Sequence, residues 1–154
     1  MPRVAGRIRV REFVEGDFDD LVARWHATNV TAYAYVAEHR AHTLDEARAF
    51  FREHVLDHCR VLVAVRGGRT LGLVVLDDDW IRQFAVFAPF RRQGVGSALL
   101  SKARQFAPGR LRLHTFQRNV AARAFYEHHG FVPVAFGTSP PPENEPDVEY
   151  AWTA

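Results

Sequence analysis

The sequence predicts an α/β (α+β) domain, with a mixed, mostly antiparallel sheet of about seven strands flanked by about four helices. Three observations carry this expectation. Short apolar segments with strand-like alternation are interleaved with segments whose apolar residues recur at helical spacing. A Gly-Gly pair, Gly67-Gly68, joins two strands closely enough for a hairpin. One strand, ending at Val86, passes through a glycine-containing loop directly into a helix at Gly94. No repeat, low-complexity tract or linker divides the 154 residues, so residues 1–154 are expected to form a single domain.

The elements follow in order. Arg7–Phe13 places Ile8, Val10 and Phe13 in a first strand. From Asp17, residues Phe18, Leu21, Val22 and Trp25 fall at i, i+3, i+4 and i+7, a helical stripe. Ala27–Arg40 has weak periodicity and reads as loop or short helix. Thr43-Leu-Asp-Glu46 is a capping box, which starts a helix that buries Leu44, Ala47, Phe51 and Val55. Val61–Val65 and Thr70–Leu76 are the arms of the hairpin. In the next strand, Trp80–Val86, the apolar residues Ile81, Phe84 and Val86 break alternation. One extra residue near Arg82-Gln83, a β-bulge, would restore all three to one face. Gly94–Ala107 is a helix with Val95, Ala98, Leu99, the Lys102 stem, Ala103 and Phe106 on its inner face. A strand at Leu111–Phe116 precedes a helix at Asn119–His129 closed by Gly130. Val132–Phe136 and Val148–Trp152 are the last strands, separated by a loop holding Pro140, Pro141, Pro142 and Pro146.

Composition excludes several function classes. The chain is 47% hydrophobic and 25% charged, the proportions of an ordinary globular protein. Its apolar runs are only a few residues long, short of the roughly 18–20 a membrane helix needs, so no membrane partner is expected. Met1–Arg9 has no apolar stretch behind its charges and does not read as a signal peptide. Cys59 is the single cysteine, which rules out an intramolecular disulfide and suits a reducing cytoplasm. The net charge is only +2, so a pI of about 9.0 does not point to nucleic acid. The basic residues are nearly all Arg and are spread along the chain rather than clustered among aromatics. His54 and His58 share a helical spacing, but Val55 stands where the metalloprotease pattern needs Glu. No metal is expected.

The segment Val86-Phe-Ala-Pro-Phe-Arg91-Arg92-Gln93-Gly94-Val95-Gly96-Ser97 is the most informative. The first N–H groups of a helix have no internal partners, and with the helix dipole they form an anion site. Glycine lets a phosphate approach the backbone, and Arg91 and Arg92 add charge. The arrangement suits a pyrophosphate. The P-loop pattern fails because Ser97-Ala98 follows Gly96 in place of Lys-Ser/Thr, and the dinucleotide fingerprint fails because Leu99 stands where its third glycine belongs. Its acidic residue, roughly 20 positions further on, is also missing from His114-Thr-Phe-Gln117.

Arg91-x-x-Gly94-x-Gly96 after a strand resembles the coenzyme A pyrophosphate motif of the GNAT superfamily of N-acetyltransferases. Asn119-Val-Ala-Ala122-Arg-Ala-Phe125-Tyr126-Glu-His-His-Gly130-Phe131 resembles that superfamily's second coenzyme A motif. Together with Ile81–Val86 the two cover about residues 80–136, and the N-terminal half matches only in element order. The resemblance implies acetyl-CoA as donor and an α/β acetyltransferase domain. It implies that the strand at Phe84–Val86 splays from that at Leu111–Phe116, with pantetheine between them pairing with the backbone of Phe84 and Val86, next to Ala85. The Val86 N–H would then donate to the oxyanion formed as the amine attacks. Arg91, Arg92, Gln93, Gly94, Val95, Gly96 and Ser97 would hold the pyrophosphate. Asn119 and Ala122 would contact the pantetheine, with a helix N-cap the other reading of Asn119. Tyr126 would protonate the departing thiolate, a phenol with pKa near 10 being protonated at neutral pH. Packing alone is the other reading of Tyr126.

The general base stays open among Asp77, Asp78, Asp79, His114, Glu38, Glu149 and His26. Cys59 lies outside both motifs, so direct attack by an amine is expected rather than a covalent enzyme intermediate. The expected partner is a small-molecule or peptide amine. Acceptor choice is expected to lie in Thr28–Glu38, with Tyr33, Tyr35 and Glu38, and in Thr138–Glu149, with Glu143, Glu145 and Glu149. A coenzyme A-binding sensor without catalysis is the alternative. The oligomeric state, a homodimer included, is left open.

Overall fold

A computed structural model describes residues 6–32 and 42–154. Its sheet grows from the central hairpin. Gly67 and Gly68 take φ of 56° and 76°, the left-handed pair that lets a two-residue turn follow the strand twist. They join β2 (Arg60–Arg66) to β3 (Arg69–Asp77). Both strands are buried along nearly their whole length, because helices cover both faces. Around them the sheet runs β1-β2-β3-β4-β5-β7-β6, with β1 Arg9–Glu12, β4 Trp80–Val86, β5 Arg110–Phe116, β6 Val132–Thr138 and β7 Pro146–Thr153. Every neighbouring pair is antiparallel except β4 and β5.

The helices are α1 (Phe18–Ala32), α2 (Leu44–Phe50), α3 (Val95–Phe106) and α4 (Val120–His128). The Thr43 capping box forms as the sequence implies: the Glu46 N–H donates to Thr43 Oγ1 and the Thr43 N–H to Glu46 Oε1, both at 3.1 Å. α2 then widens into a π-helical turn over Phe51–Leu56, which aims Phe51 and Val55 into the core. The element order matches the expected one throughout.

Local expectations are refined or changed in the first strand, α1 and α3. The first strand is shorter than Arg7–Phe13, although the Phe13 N–H still donates to the Val61 carbonyl at 2.9 Å. α1 continues through Thr28–Ala32, so this part of Ala27–Arg40 takes the helical of its two readings; Tyr33, Tyr35 and Glu38 lie outside the described residues. On α3, Leu100 is buried, whereas Phe106 is 40% exposed. The Arg60 guanidinium lies over the Phe106 ring, 4.2 Å from its centroid, so the ring packs against a cation at the surface instead of the core.

Candidate active site

The site begins at the bulge in β4. Leu76 pairs with Ile81 and Val75 with Gln83, which leaves Arg82 as the extra residue. Ile81, Phe84 and Val86 thereby fall on one face, as their spacing implies, and Gln83 on the other. Gln83 Oε1 accepts from Trp25 Nε1 at 3.3 Å, tying the bulge to α1.

Beyond the bulge, β4 and β5 part. Only Trp80–Arg112 and Ile81–Leu113 are in register. The Phe87 N–H donates to the Leu71 carbonyl at 2.9 Å, and hydrogen-bonded pairs alternate along an antiparallel ladder. Ala85, opposite Leu73, therefore turns its N–H and C=O toward β3. Phe84 and Val86 turn theirs the other way, into the gap. Arg91 Nε reaches the Val86 carbonyl at 3.5 Å. The expected splay is present, and it separates Ala85, whose backbone faces β3, from its two neighbours.

The gap opens into a cleft of about 870 Å³. One end is the start of α3. Gly94 is its N-cap at φ 86° with no side-chain cap, and Arg92 also has positive φ, 62°. Ala98 makes the first backbone bond of the helix, to the Gly94 carbonyl at 3.1 Å. The N–H groups of Val95, Gly96 and Ser97 are thus the orphan donors of the first turn. Arg91, Arg92, Gly94, Val95, Gly96 and Ser97 all line the cleft. Gln93 does not. Its amide accepts from Arg66 at 2.6 Å and donates to the Pro89 carbonyl at 3.3 Å, so only its backbone is left for an anion.

The two glycines serve different ends. A Cβ on Gly94 would meet nothing within 4 Å, whereas one on Gly96 would lie 2.9 Å from the tip of the Phe125 ring. Gly94 supplies the left-handed turn and open space before the helix. Gly96 permits α3 and α4 to close on each other. A side chain at Gly96 would therefore have to displace the Phe125 ring, so it would disturb the α3–α4 contact as well as the helix start.

α4 forms the far wall. Asn119 caps it, its Oδ1 accepting from the Ala122 N–H at 3.2 Å. Its end is a Schellman turn: the Phe131 N–H donates to the Tyr126 carbonyl at 3.0 Å and the Gly130 N–H to the Glu127 carbonyl at 3.2 Å. That turn seats Phe131 against Tyr126 at 5.5 Å between ring centroids. Tyr126 is 6% exposed, edge-on to Phe84 and Phe125, and lines the cleft together with Asn119 and Ala122. Behind it Tyr150 donates to Glu127 and accepts from Arg123 Nε at 3.0 Å. At the mouth, Ser97 Oγ and His129 Nε2 are 3.3 Å apart. Burial, then His128 and Arg104, lower the His129 pKa.

The sequence model of the acetyltransferase (GNAT) family matches residues 21–131. The chain belongs to the GNAT acetyltransferase family. The apo form of YjaB from Escherichia coli superposes with a TM-score of 0.79 at 23% identity, covering 96% of this chain and 98% of that one. A GNAT acetyltransferase from Streptococcus pneumoniae gives 0.68 at 20% identity, over 96% and 100%. A protein assigned as a streptothricin acetyltransferase from Bacillus anthracis, in complex with acetyl coenzyme A, gives 0.58 at 26% identity over 63% of each chain. No curated protein matches the chain. The seven-stranded sheet, with four helices among the described residues, is the GNAT fold, and GNAT acetyltransferases use acetyl-CoA.

The base candidates separate in the GNAT frame. Asp79 accepts from Arg110 Nε at 2.7 Å and from Arg112 at 3.1 and 2.8 Å. The Arg112 hydrogen bonds, then those of Arg110, hold its carboxyl below the usual range. Asp77 accepts from Arg82 at 3.4 Å, and Asp78 occupies the turn at φ 54°. Neither these three nor His26 lines the cleft; His114 does. Glu38 lies outside the described residues. The loop Ser139–Glu145 is also away from the cleft, and Glu145 points to Arg118 Nε at 3.5 Å. Its order comes from Ser139, which exchanges hydrogen bonds with Glu145 at 2.8 and 3.0 Å. Glu143 and Glu145 are thus not cleft residues.

Thr28, Asn29 and Thr31 of α1, inside the expected Thr28–Glu38 segment though not singled out in it, line the cleft, as do Arg82, Gln83 and Thr115, which the sequence reading did not assign to the site. A signal existed for the α1 residues, since polar side chains succeed Trp25 where the apolar stripe stops. Among the described residues no three His, Cys, Asp or Glu gather to hold a metal, and no helix is long and apolar enough to cross a membrane.

Proposed function

We propose that this GNAT protein transfers the acetyl group of acetyl-CoA directly to an amine. The observation that carries the reading is the parted β4–β5 seam. Two strands stop pairing after two residue pairs, and one turns backbone donors and acceptors into a cleft that ends at a helix N-terminus. Exposed strand groups of this kind accept an extended amide-bearing chain as an added strand, and the helix start accepts its anionic head. The orphan groups of Phe84 and Val86 fit pantetheine. Val95, Gly96 and Ser97 at the head of α3, with Arg91 and Arg92, fit the pyrophosphate. The bound donor supplies an activated thioester. Asn119, its Oδ1 engaged in the cap, would offer its Nδ2 to a pantetheine carbonyl.

The Val86 N–H is the donor for the carbonyl oxygen as it gains charge. Tyr126, buried at the inner end of the cleft, is the general acid for the departing sulfur. Cys59 supports direct transfer over a covalent enzyme intermediate: it lies outside the cleft, and burial pushes its thiol pKa up, away from nucleophilic thiolate.

The test is release of free thiol from acetyl-CoA with a fixed panel of glycinamide, L-lysine, spermidine and a lysine-containing tripeptide. Amine-dependent thiol release with formation of the acetylamide supports transfer. Coenzyme A binding without release from any amine would leave a sensor module instead.

A further inference from the structure

The cleft lining contains no carboxylate among the described residues. Tyr126 is already placed as the acid, so the lining side chains left to take a proton are three histidines. Two of these sit at the end of α4, His129 beside Ser97 and His128 next to His129. The third, His114, follows Leu113, the last residue of β5 in register with β4, and so stands where the seam opens. Leu111 and Leu113 are buried, and strand alternation puts Arg112 and His114 on the opposite face of β5. That face is the one to which Gln83 turns to meet α1.

Two contacts fix the imidazole. It stacks on Trp80 with 5.2 Å between centroids and 6° between planes. Its Nε2 is 3.6 Å from Glu149 Oε1, and Glu149 is its direct cross-strand partner. The other charged groups around this ring pair are Arg112, held by Asp79 and 4.2 Å above Trp80, and Arg82, bonded to Asp77 and 5.1 Å from the same ring. Arg112 is hydrogen-bonded to Asp79 and also feels the charge of Glu149, so Glu149 faces both the histidine and this guanidinium. At 3.6 Å the carboxylate acts through its charge rather than through a hydrogen bond, and that charge favours the proton on Nε2 and the lone pair on Nδ1.

We propose that His114 is the general base of the transfer, its Nδ1 taking a proton from the acceptor ammonium while Glu149 orients the ring through Nε2. This deepens the acetyl-transfer reading and rests on it. In the step an N–H bond of the ammonium breaks, its electron pair stays on nitrogen, and the proton forms a bond to Nδ1. The imidazolium so formed lies against the Glu149 carboxylate and later returns the proton to solvent. His114 is the catalytic residue here; Glu149 is a positioning residue.

The experiment has two arms. In the free protein, nitrogen-15 spectra of the imidazole at pH 8 should show His114 with its proton on Nε2, and Glu149→Gln should redistribute that tautomer. Predominance of the Nδ1–H form in the wild type would overturn the proposal. In the second arm, thiol release with the amine panel is followed across pH. His114→Gln should lower kcat by roughly 10²–10⁴-fold, the scale of a general base, with acetyl-CoA KM unchanged and the acid limb of kcat/KM lost. Glu149→Gln should lose less and keep that limb. A coenzyme A-induced rise in melting temperature equal to that of the wild type verifies that each variant is folded. Wild-type turnover in His114→Gln, or slower turnover with the acid limb intact, would remove His114 as base while leaving acetyl transfer standing. Failure of the wild type to release thiol with any amine would instead remove the transfer reading, and the proposal with it.

Discussion

The two ends of the cleft are made of different material. The pyrophosphate end is backbone: a left-handed Gly94, the first N–H groups of α3, and the outward-turned groups of Phe84 and Val86. The end proposed for the acceptor is side chain: Arg82, His114 and Thr115 line it, with Trp80 and Glu149 packed against His114 from β4 and β7. A backbone site is encoded within a few consecutive residues and presents the same chemistry to any chain carrying a pyrophosphate. A side-chain site depends on register between strands that are distant in sequence, and a single substitution can change what it recognises. The difference fits a protein with a fixed donor and a variable acceptor.

Removing the hydroxyl of Tyr126, the proposed acid, should have the largest effect. Tyr126→Phe removes one hydroxyl and leaves a ring packed by Phe84, Phe125 and Phe131. Turnover should fall by roughly 10²–10⁴-fold with little change in coenzyme A affinity. Equal turnover would reduce Tyr126 to packing.

The next effect sharpens the backbone end. Gly94 and Gly68 both have positive φ and open space where a Cβ would go, but only Gly94 lies on the cleft. Alanine at either should cost about 1 kcal/mol or somewhat more through left-handed strain. Only Gly94→Ala should also weaken coenzyme A binding, by tenfold or more in a titration. Equal affinities in the two variants would separate the α3 start from the anion.

The smallest effect is on the support of the acceptor end. Asp79 has a folded pKa below its unfolded value, set first by Arg112 and then by Arg110. Its contribution to stability is therefore present above about pH 4, the unfolded carboxylate range, and is lost as pH falls through the lower folded value. Asp79→Asn should lower the melting temperature at pH 7, and the gap from wild type should narrow below pH 4. A gap constant with pH would mean that the carboxylate charge is not what Arg112 holds.

The same contrast explains what could be read from the sequence. Element order, the Gly67-Gly68 turn, the Thr43 box and the α3 start are local signals, and all four appear in the structure. The bulge at Arg82 was legible because Ile81, Phe84 and Val86 break a period that the core enforces. The pairing of His114 with Glu149 was not, since it follows from β5–β7 register across the intervening helix and strand. The second part played by Gly96, in the α3–α4 contact, was not legible for the same reason. Its neighbour Phe125 is on another helix, and a glycine gives no local sign of whether a ligand or a ring needs its space. Phe106 had the right spacing for the core, but the nearby Arg60 covers it at the surface.

The central claim is that the β4–β5 gap and the α3 start together hold coenzyme A. Thermal melting of the wild-type protein with and without coenzyme A tests it most directly. At a ligand concentration of 100 times Kd the native state gains about 2.7 kcal/mol, and each kcal/mol moves the melting point of a domain this size by roughly 2–4 °C. The account predicts a rise of several degrees with coenzyme A and none with NAD at the same concentration. No rise with coenzyme A, or an equal rise with NAD, would contradict it.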